Sequence, residues 1–514
     1  METNKEFCRE RRILSEGNLS AGEYILPDYK GDVKKLLYQN ARCESSEGYI
    51  NGDKLECTGV VVYDIVYLDS EDVLTPLSFT TDYEISVKVD EGKYVDNFTR
   101  VTPSSFNLRL MGPRKFSAKA GLLLDLSLLE RDEYKVEGDA PLRESTEAMT
   151  KTVKISGGKY AVFGEREFAE EVEHLEGAIV DEVEVLYLST EPRDITVKES
   201  EDGLIVGGEI NSTMLLKVGI DPPYTVSHAI TFEDTLDTDI DPKEAGVYID
   251  ILSSKASVNP EESGVSVTLD VIAAARAKAS YNVPLRIVKD MYSTERGVDV
   301  TVGEINYTEL IERGDGVQRF SYEAEREETG LSDARNILYA AAMPKIEAAF
   351  AKGDEVVIEG ILRFSGIACE VNEDGGISYS PVKIDAPLNL NVSYGSQIPE
   401  NSRIVAEVMP TSAKIELDGD RVRMSALLDV RTSVYDPRRE GCLTTAVFND
   451  EVYTKDPSTV TVYYPDKNDT LYEVAKQHHT TVLNIAKDNE LTEDVVSRAD
   501  AEGGLSGVDY LLIR

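Results

Sequence analysis

Few residues in this chain have the type and spacing that chemistry needs. His478 and His479 stand together, while His174 and His228 stand apart. Adjacent helical positions point about 100° apart, so the pair cannot chelate one metal, and a packed or solvated role is expected. Asp237, Asp239 and Asp241 (DTDID) suggest calcium. A calcium loop counted from Asp237 needs Gly at its sixth place and Glu at its twelfth. The chain has Pro242 and Tyr248 there, which favours a solvated turn. Asp125, Asp270 and Asp429 recur at matching places and would make a carboxylate set if they met. They lie in separate segments and alternate with apolar neighbours, which predicts solvent-facing strand positions. Cys8, Cys43, Cys57, Cys369 and Cys442 form an odd set without a CxxC pair, which predicts free thiols in a reducing compartment, with Cys57 as a small core residue. GxSxG, GxxxxGK[ST] and HExxH are absent, and Gly157-Gly158-Lys159 reads as a turn. No catalytic residue, metal ligand or cofactor is nominated, and a non-enzymatic role is expected.

The charge narrows the partners. Among 514 residues, 95 are acidic and 54 basic, for a formal charge of −41. Nucleic acid and anionic membrane surfaces both need basic patches, so neither is expected, whereas a partner with a basic patch is. The opening METNKEFCRERRILSEGNLS lacks the apolar core of a secretory signal. No apolar run reaches the length of a membrane span, so no direct span is expected.

The elements that would position any site come from a long internal repeat. DVKKLLY (32–38), DEVEVLY (181–187) and DARNILY (333–339) share an Asp five residues before Leu-Tyr. A glycine follows each Tyr at one interval: 59 − 38, 208 − 187 and 360 − 339 all give 21. An apolar pair four residues apart comes next, as Phe79/Tyr83, Phe232/Leu236 and Ile384/Leu388. Leu124-Asp125-Leu126, Leu269-Asp270-Val271 and Leu428-Asp429-Val430 close each copy. Four landmarks in one order imply tandem domains.

Around the glycines, alternation such as Leu55/Cys57, Leu204/Val206 and Val356/Ile358 reads as half-buried strand. Gly59, Gly208 and Gly360 themselves suggest a bulge or a close backbone approach. Turns at 50–52 (ING), 259–263 (NPEES) and 417–420 (LDGD) separate further strands. Leu331 to Ala351 is the clearest helical stretch, though Pro344 should kink it. The expectation is a mainly β chain. After an N-terminal segment 1–22 come three antiparallel β domains, sandwich or open barrel, at 23–135, 165–285 and 320–440. Segments 136–164 and 286–319 either link these domains or add edge strands to them.

The last 56 residues, 459–514, change pattern to strand, helix, helix, strand. Thr470-Leu-Tyr-Glu473 is a capping box, and Leu471, Val474 and Ala475 share the helical face that follows. Thr480 or Thr481 caps a second helix, with Val482, Ile485 and Ala486 inward.

This tail resembles a LysM module, a small βααβ domain that binds N-acetylglucosamine polymers. Asp469-Thr470-Leu471 matches the family's start, Thr480-Thr481-Val482 its inter-helix turn and Asn489-x-Leu491 its second-helix exit. Gly507 matches the glycine before the last strand. The chain departs from the family at Asn468, at Ser506-Gly507-Val508 and in the longer loop 498–504. The resemblance implies that Asp469, Thr470, Leu471, Asn489, Leu491 and Gly507 line a ligand or partner groove; the alternative is that Thr470 only caps and the leucines only pack. The three upstream copies resemble the SPOCS domain of endospore-forming Firmicutes. The D-x4-LY lead, the glycine-centred strand, PLSFTTDY (76–83), PVKIDAPL (381–388) and the LDL/LDV strand carry that likeness.

SPOCS units followed by LysM are the layout of SipL-like spore coat and envelope assembly proteins. The layout implies a mother-cell cytoplasmic adaptor at the forespore surface that docks through LysM on the basement-layer coat morphogenetic ATPase. The rival readings are a peptidoglycan- or lipid-linked-precursor-binding wall or cortex protein and, from another class, a LysM-targeted glycan hydrolase.

Overall fold

A computed structural model describes residues 4–514 except 45–46, 91, 143, 202, 372–375, 455–458, 467–468, 493–495, 497–504 and 506–507. The chain is mainly β, built of several antiparallel sheets. The first stretch holds β1 (Asn4–Ile25), β2 (Val33–Cys43), β3 (Glu47–Asn51), β4 (Lys54–Asp69), β5 (Leu74–Lys88), β6 (Tyr94–Gly112) and β7 (Lys115–Lys135). One sheet runs β1-β7-β6. In the other, β4 is central, with β5 on one edge and β2 then β3 along the opposite edge. The two sheets face each other over a core that includes Tyr63, Tyr67, Phe116 and the alternating Leu122, Leu124, Leu126 and Leu128.

The same connectivity returns twice. Next come β8 (Thr146–Glu176), β9 (Val183–Ser200), β10 (Gly203–Val218), β11 (Tyr224–Leu236), β12 (Ala245–Glu261) and β13 (Gly264–Ser293). They pair as β12-β13-β8 and β11-β10-β9. After β14 (Arg296–Glu325) and the single turn α1 (Arg326–Thr329) come β15 (Ala334–Lys352), β16 (Glu355–Val371), β17 (Ile377–Ser393), β18 (Arg403–Asp418) and β19 (Arg421–Val452). These pair as β14-β19-β18 and β15-β16-β17. In each unit the first strand therefore lies along the last.

That closure revises several expectations. The described part of the segment 1–22, residues 4–22, belongs to β1, which pairs along β7 from Asn4↔Lys135 to Ile25↔Lys115. The limits drawn at 23, 165, 285, 320 and 440 all fall inside strands, and 136–164 and 286–319 supply much of β8 and β14. Leu331 to Ala351 is not a helix. Pro344 removes a helical hydrogen bond, whereas β15 is an edge strand, where a missing N–H is tolerated. There Pro344 lies opposite Leu362.

The glycines sit where pairing with the second strand breaks. Gly59 falls between the segments of β4 that β3 and β2 cover. Gly208 is skipped by a register shift against β9, and Gly360 lies beside a shift against β15. On their other side they face Tyr83, Phe232 and Leu388. Phe232 is thus the counterpart of Tyr83, not of Phe79, and the apolar pair of the second copy is four residues out of step.

The three units close on one another. Leu37-Tyr38, Leu186-Tyr187 and Leu338-Tyr339 all enter one buried cluster. The tyrosine ring centroids form a near-equilateral triangle of 4.8, 4.8 and 5.1 Å. Around them contacts pass cyclically: β4 and β5 meet β9, β11 meets β15, and β16 and β17 meet β2. A second shared core joins Phe7 and Tyr134 to Val153 and Leu285 and to Leu443 and Ala446. Within it the Tyr134 hydroxyl donates to the Leu443 carbonyl at 3.0 Å and accepts from Val288 N–H at 3.0 Å, so one side chain bridges all three units.

Candidate functional site

The tail begins with β20 (Thr461–Tyr463), continues through α2 (Leu471–Gln477) and α3 (Val482–Asp488), and ends in β21 (Leu511–Ile513), which pairs antiparallel with β20. Its helices form because their ends are capped. Thr470 Oγ1 accepts from Glu473 N–H at 3.2 Å, and Glu473 accepts from Thr470 N–H at 3.3 Å. Thr481 Oγ1 accepts from Asn484 N–H at 3.0 Å. Such caps satisfy backbone donors that a short helix would otherwise leave open. Leu471, Val474, Ala475 and Ile485 pack on Leu511 and Ile513 as the helical spacing predicts.

Five of the six site residues named from sequence fall among the described residues, and each has structural work. Asp469 accepts from the Tyr463 hydroxyl at 2.7 Å and from Asp466 N–H at 2.8 Å. That hydrogen bond, with burial adding to it, pushes the Tyr463 phenol up to about 12. Thr470 caps, and Leu471 is fully buried. Asn489 ties α3 to the last strand: its amide donates to the Ile485 and Leu512 carbonyls and accepts from Leu512 N–H at 2.6 Å. Leu491 packs against the tail core. Gly507, Asn468, Ser506 and the loop 498–504 lie outside the described residues.

One side of α2 is committed to the ring. Tyr472 meets Tyr292 of β13 edge-on at 5.2 Å, and the Tyr292 hydroxyl donates to the Thr480 carbonyl at 2.8 Å. Lys476 pairs with Asp290 at 2.5 Å, and His479 stacks on Tyr453 at 3.5 Å. The outer face of the β20–β21 ribbon stays open: Val462, Tyr464 and Tyr510 are 48%, 72% and 52% exposed. Leu483 on α3 is exposed as well. An apolar ribbon with an acidic border, Asp466 and Asp509, is suited to a partner that is apolar at its centre and basic at its rim.

No protein-family model, curated protein or solved structure matches this chain.

The sequence reading missed the charged junction where the units meet. Asp125 does not face solvent. It accepts both arms of Arg12, at 2.6 and 3.0 Å, and Arg12 reaches Glu407 of the third unit at 3.0 Å. Arg100 holds the other Glu407 oxygen at 2.9 Å. Tyr248 of the second unit lies between Arg100 and Arg431, 4.7 and 4.6 Å from its ring centre, a cation–π arrangement. Burial would raise the Asp125 carboxyl, but Arg12 and then Lys278 hold it below the usual range. Asp429 pairs with Arg431 at 3.1 Å, whereas Asp270 is exposed, so the three aspartates form no common set.

Of the remaining candidates, Asp239 pairs with Lys159, and Asp241 accepts from Lys243 N–H at 2.9 Å in a turn. His174 lies 3.4 Å from Glu261 and 3.8 Å from Glu171; this is the one carboxylate–imidazole group among the described residues with ligand spacing, and it is fully on the surface. His228 contacts Glu170 at 2.6 Å. Cys57 is buried in the first core.

Proposed function

We propose that the chain is a non-enzymatic assembly scaffold of the bacterial spore coat: three tandem SPOCS-like β domains closed into one body, carrying a LysM-like tail that docks on the basement-layer ATPase. The observation that carries this reading is the seating of the tail. One side of α2 is fixed to the body through Tyr472 and Lys476, while Tyr464 and Tyr510, which flank the ribbon, are exposed and open to a partner. The excess of 95 acidic over 54 basic residues supports a partner with a basic docking patch and salt-sensitive association. The likeness in residues and layout described above supplies the compartment, the mother-cell cytoplasm at the forespore surface.

The test is capture of coat proteins from sporulating cells by the full chain and by a chain ending at Asp456. Recovery of the basement-layer ATPase with the full chain alone is expected. Equal recovery with the shortened chain refutes docking through the tail. Pelleting of the full chain with purified cortex glycan, without capture of any coat protein, assigns the tail to sugar instead.

A further inference from the structure

The sheet β14-β19-β18 leaves β14 as an edge, and among the described residues no strand pairs along its outer side. Such edges template further pairing, and proteins guard them with proline or charge. The guards are visible in this chain. At the other edge of the corresponding sheets, β6, β12 and β18 carry Pro103, Pro260 and Pro410. Of the first strands, β1 carries Arg9, Arg11 and Arg12, and β8 carries glutamate at six places between 165 and 176. The start of β14 is the exception: residues 297–303 read GVDVTVG, with Asp299 as the one charge.

The side chains of that stretch stay uncovered on the side where a core lies. Val300 is opposite Ala446 and Val302 opposite Leu443. Paired residues share a face, and Ala446 and Leu443 are fully buried in the core common to the three units. Val298 packs on that core as well. The register shift at Thr301 places its extra residue, Thr444, in β19, so β14 alternates without a break. Val300 and Val302 are nevertheless 37% and 65% exposed. The apolar face thus extends to the edge of the sheet and is open there.

We propose that this edge pairs antiparallel with the same edge of a second copy of the chain, about a twofold axis at Val300. In that register Val300 meets Val300, Val298 meets Val302, Asp299 meets Thr301, Gly297 meets Gly303 and Arg296 meets Glu304. The valines of both copies share one face, and an opposite-charge pair closes each end. A slip of one residue sends the valines of the two copies to opposite faces. A slip of two sets Asp299 against Asp299 or moves Arg296 from Glu304 to Asn306. Both end groups can take the pairing. Arg296 donates to the Asn449 carbonyl at 2.8 Å and lies over the Phe448 ring, and no carboxylate pairs with it among the described residues. Glu304 is 57% exposed and meets Arg439 at 3.5 Å; a carboxylate has about four acceptor sites, so a second guanidinium can share it. The pairing uses the same patch on both copies and closes at two. It rests neither on the tail nor on its proposed docking.

Sedimentation velocity of the full chain, over about a hundredfold range of concentration at about 0.15 M salt, tests this. A reversible dimer without larger species is expected. Glu304→Arg makes both end pairs repulsive and should weaken the dimer about tenfold or more. Arg296→Glu/Glu304→Arg restores opposite charges and should return the parent's affinity. Should that double variant melt lower than the parent, because Arg296 leaves Phe448, disulfide trapping decides. Val300→Cys lies on the axis and should cross-link two chains on mild oxidation. Val302→Cys, roughly 13 Å from its own mate, should not, and the parent with its five free cysteines gives the background. A monomer at every concentration, a dimer indifferent to Glu304→Arg, a double reversal that melts like the parent yet stays weak, or equal cross-linking at both cysteines overturns the assignment.

Discussion

Tyr38, Tyr187 and Tyr339 each touch the two equivalents of themselves in the other units. Burial, followed by the neighbouring hydroxyls, raises the Tyr38 phenol well above its ordinary value, so these groups stay neutral at any physiological pH. Tyr187→Ala is expected to cost about 3–5 kcal/mol, as for other large aromatic truncations in a core. Tyr187→Phe keeps the ring and loses the hydroxyl that accepts from Asn40 Nδ2 at 3.1 Å and from the Tyr38 hydroxyl at 3.5 Å, for about 1 kcal/mol. Urea midpoints of the two variants check this ranking, and equal losses contradict it. The charged junction gives a pH dependence. Glu10 would be raised by burial, but Lys278 and then Arg12 hold it below its ordinary 4.5, and Asp125 is lowered likewise. A depressed carboxyl contributes stability above its unfolded value and loses it as pH falls through the folded one. Urea midpoints should therefore hold between pH 7 and 5 and fall steeply below about 4.5. Asp125→Asn should flatten that fall. The Leu-Tyr repeat was legible in the sequence as a marker. Its role as the meeting point was not, because one-dimensional spacing records that copies exist and not which surfaces they share.

The element scale shows where periodicity suffices and where it fails. The strands around Gly59, Gly208 and Gly360 were readable because alternate burial survives in all three. A side chain at Gly360 would collide with the Lys345 backbone carbonyl, whereas one at Gly59 would meet the Tyr83 ring, which can turn aside. Gly360→Ala is therefore expected to destabilise by about 2 kcal/mol or more and Gly59→Ala by less, as overpacking costs typically run about 1–3 kcal/mol. Thermal melts of the two variants give the order. The stretch 331–351 misled because Ala, Leu and Lys favour helix locally. Its fate was set by β16 and β18 packing along it, which only tertiary structure supplies. The first strand β1 escaped, and β8 and β14 stayed open between linker and edge strand, for a related reason. They are edge strands whose outward faces are charged, and pairing to the end of the same unit leaves no local trace.

At the scale of the whole molecule, each unit has a core of its own, but two further buried cores are shared by all three, so no unit encloses all of its hydrophobic surface. Calorimetry of the full chain should show residues 4–452 unfolding in one endotherm. A chain cut after Ser293 should expose the Leu37 and Leu186 surfaces and associate or aggregate. Two well-separated endotherms from the body would contradict shared closure. The tail was legible as a unit because its caps and helical faces are local. Its seat on Tyr292 was not, since Tyr292 lies 188 residues from its hydrogen-bond partner Thr480. Tyr292→Ala should loosen the tail without melting the body, seen as faster amide exchange in α2 alone.

Rings of like subunits are usually made by separate chains, each repeating one sequence. Here covalent linkage frees every third of the ring to change alone, and only one third receives the terminal appendage. A true trimer of identical chains would brandish three such appendages and bind threefold; this body offers one handle, and it points in a single direction.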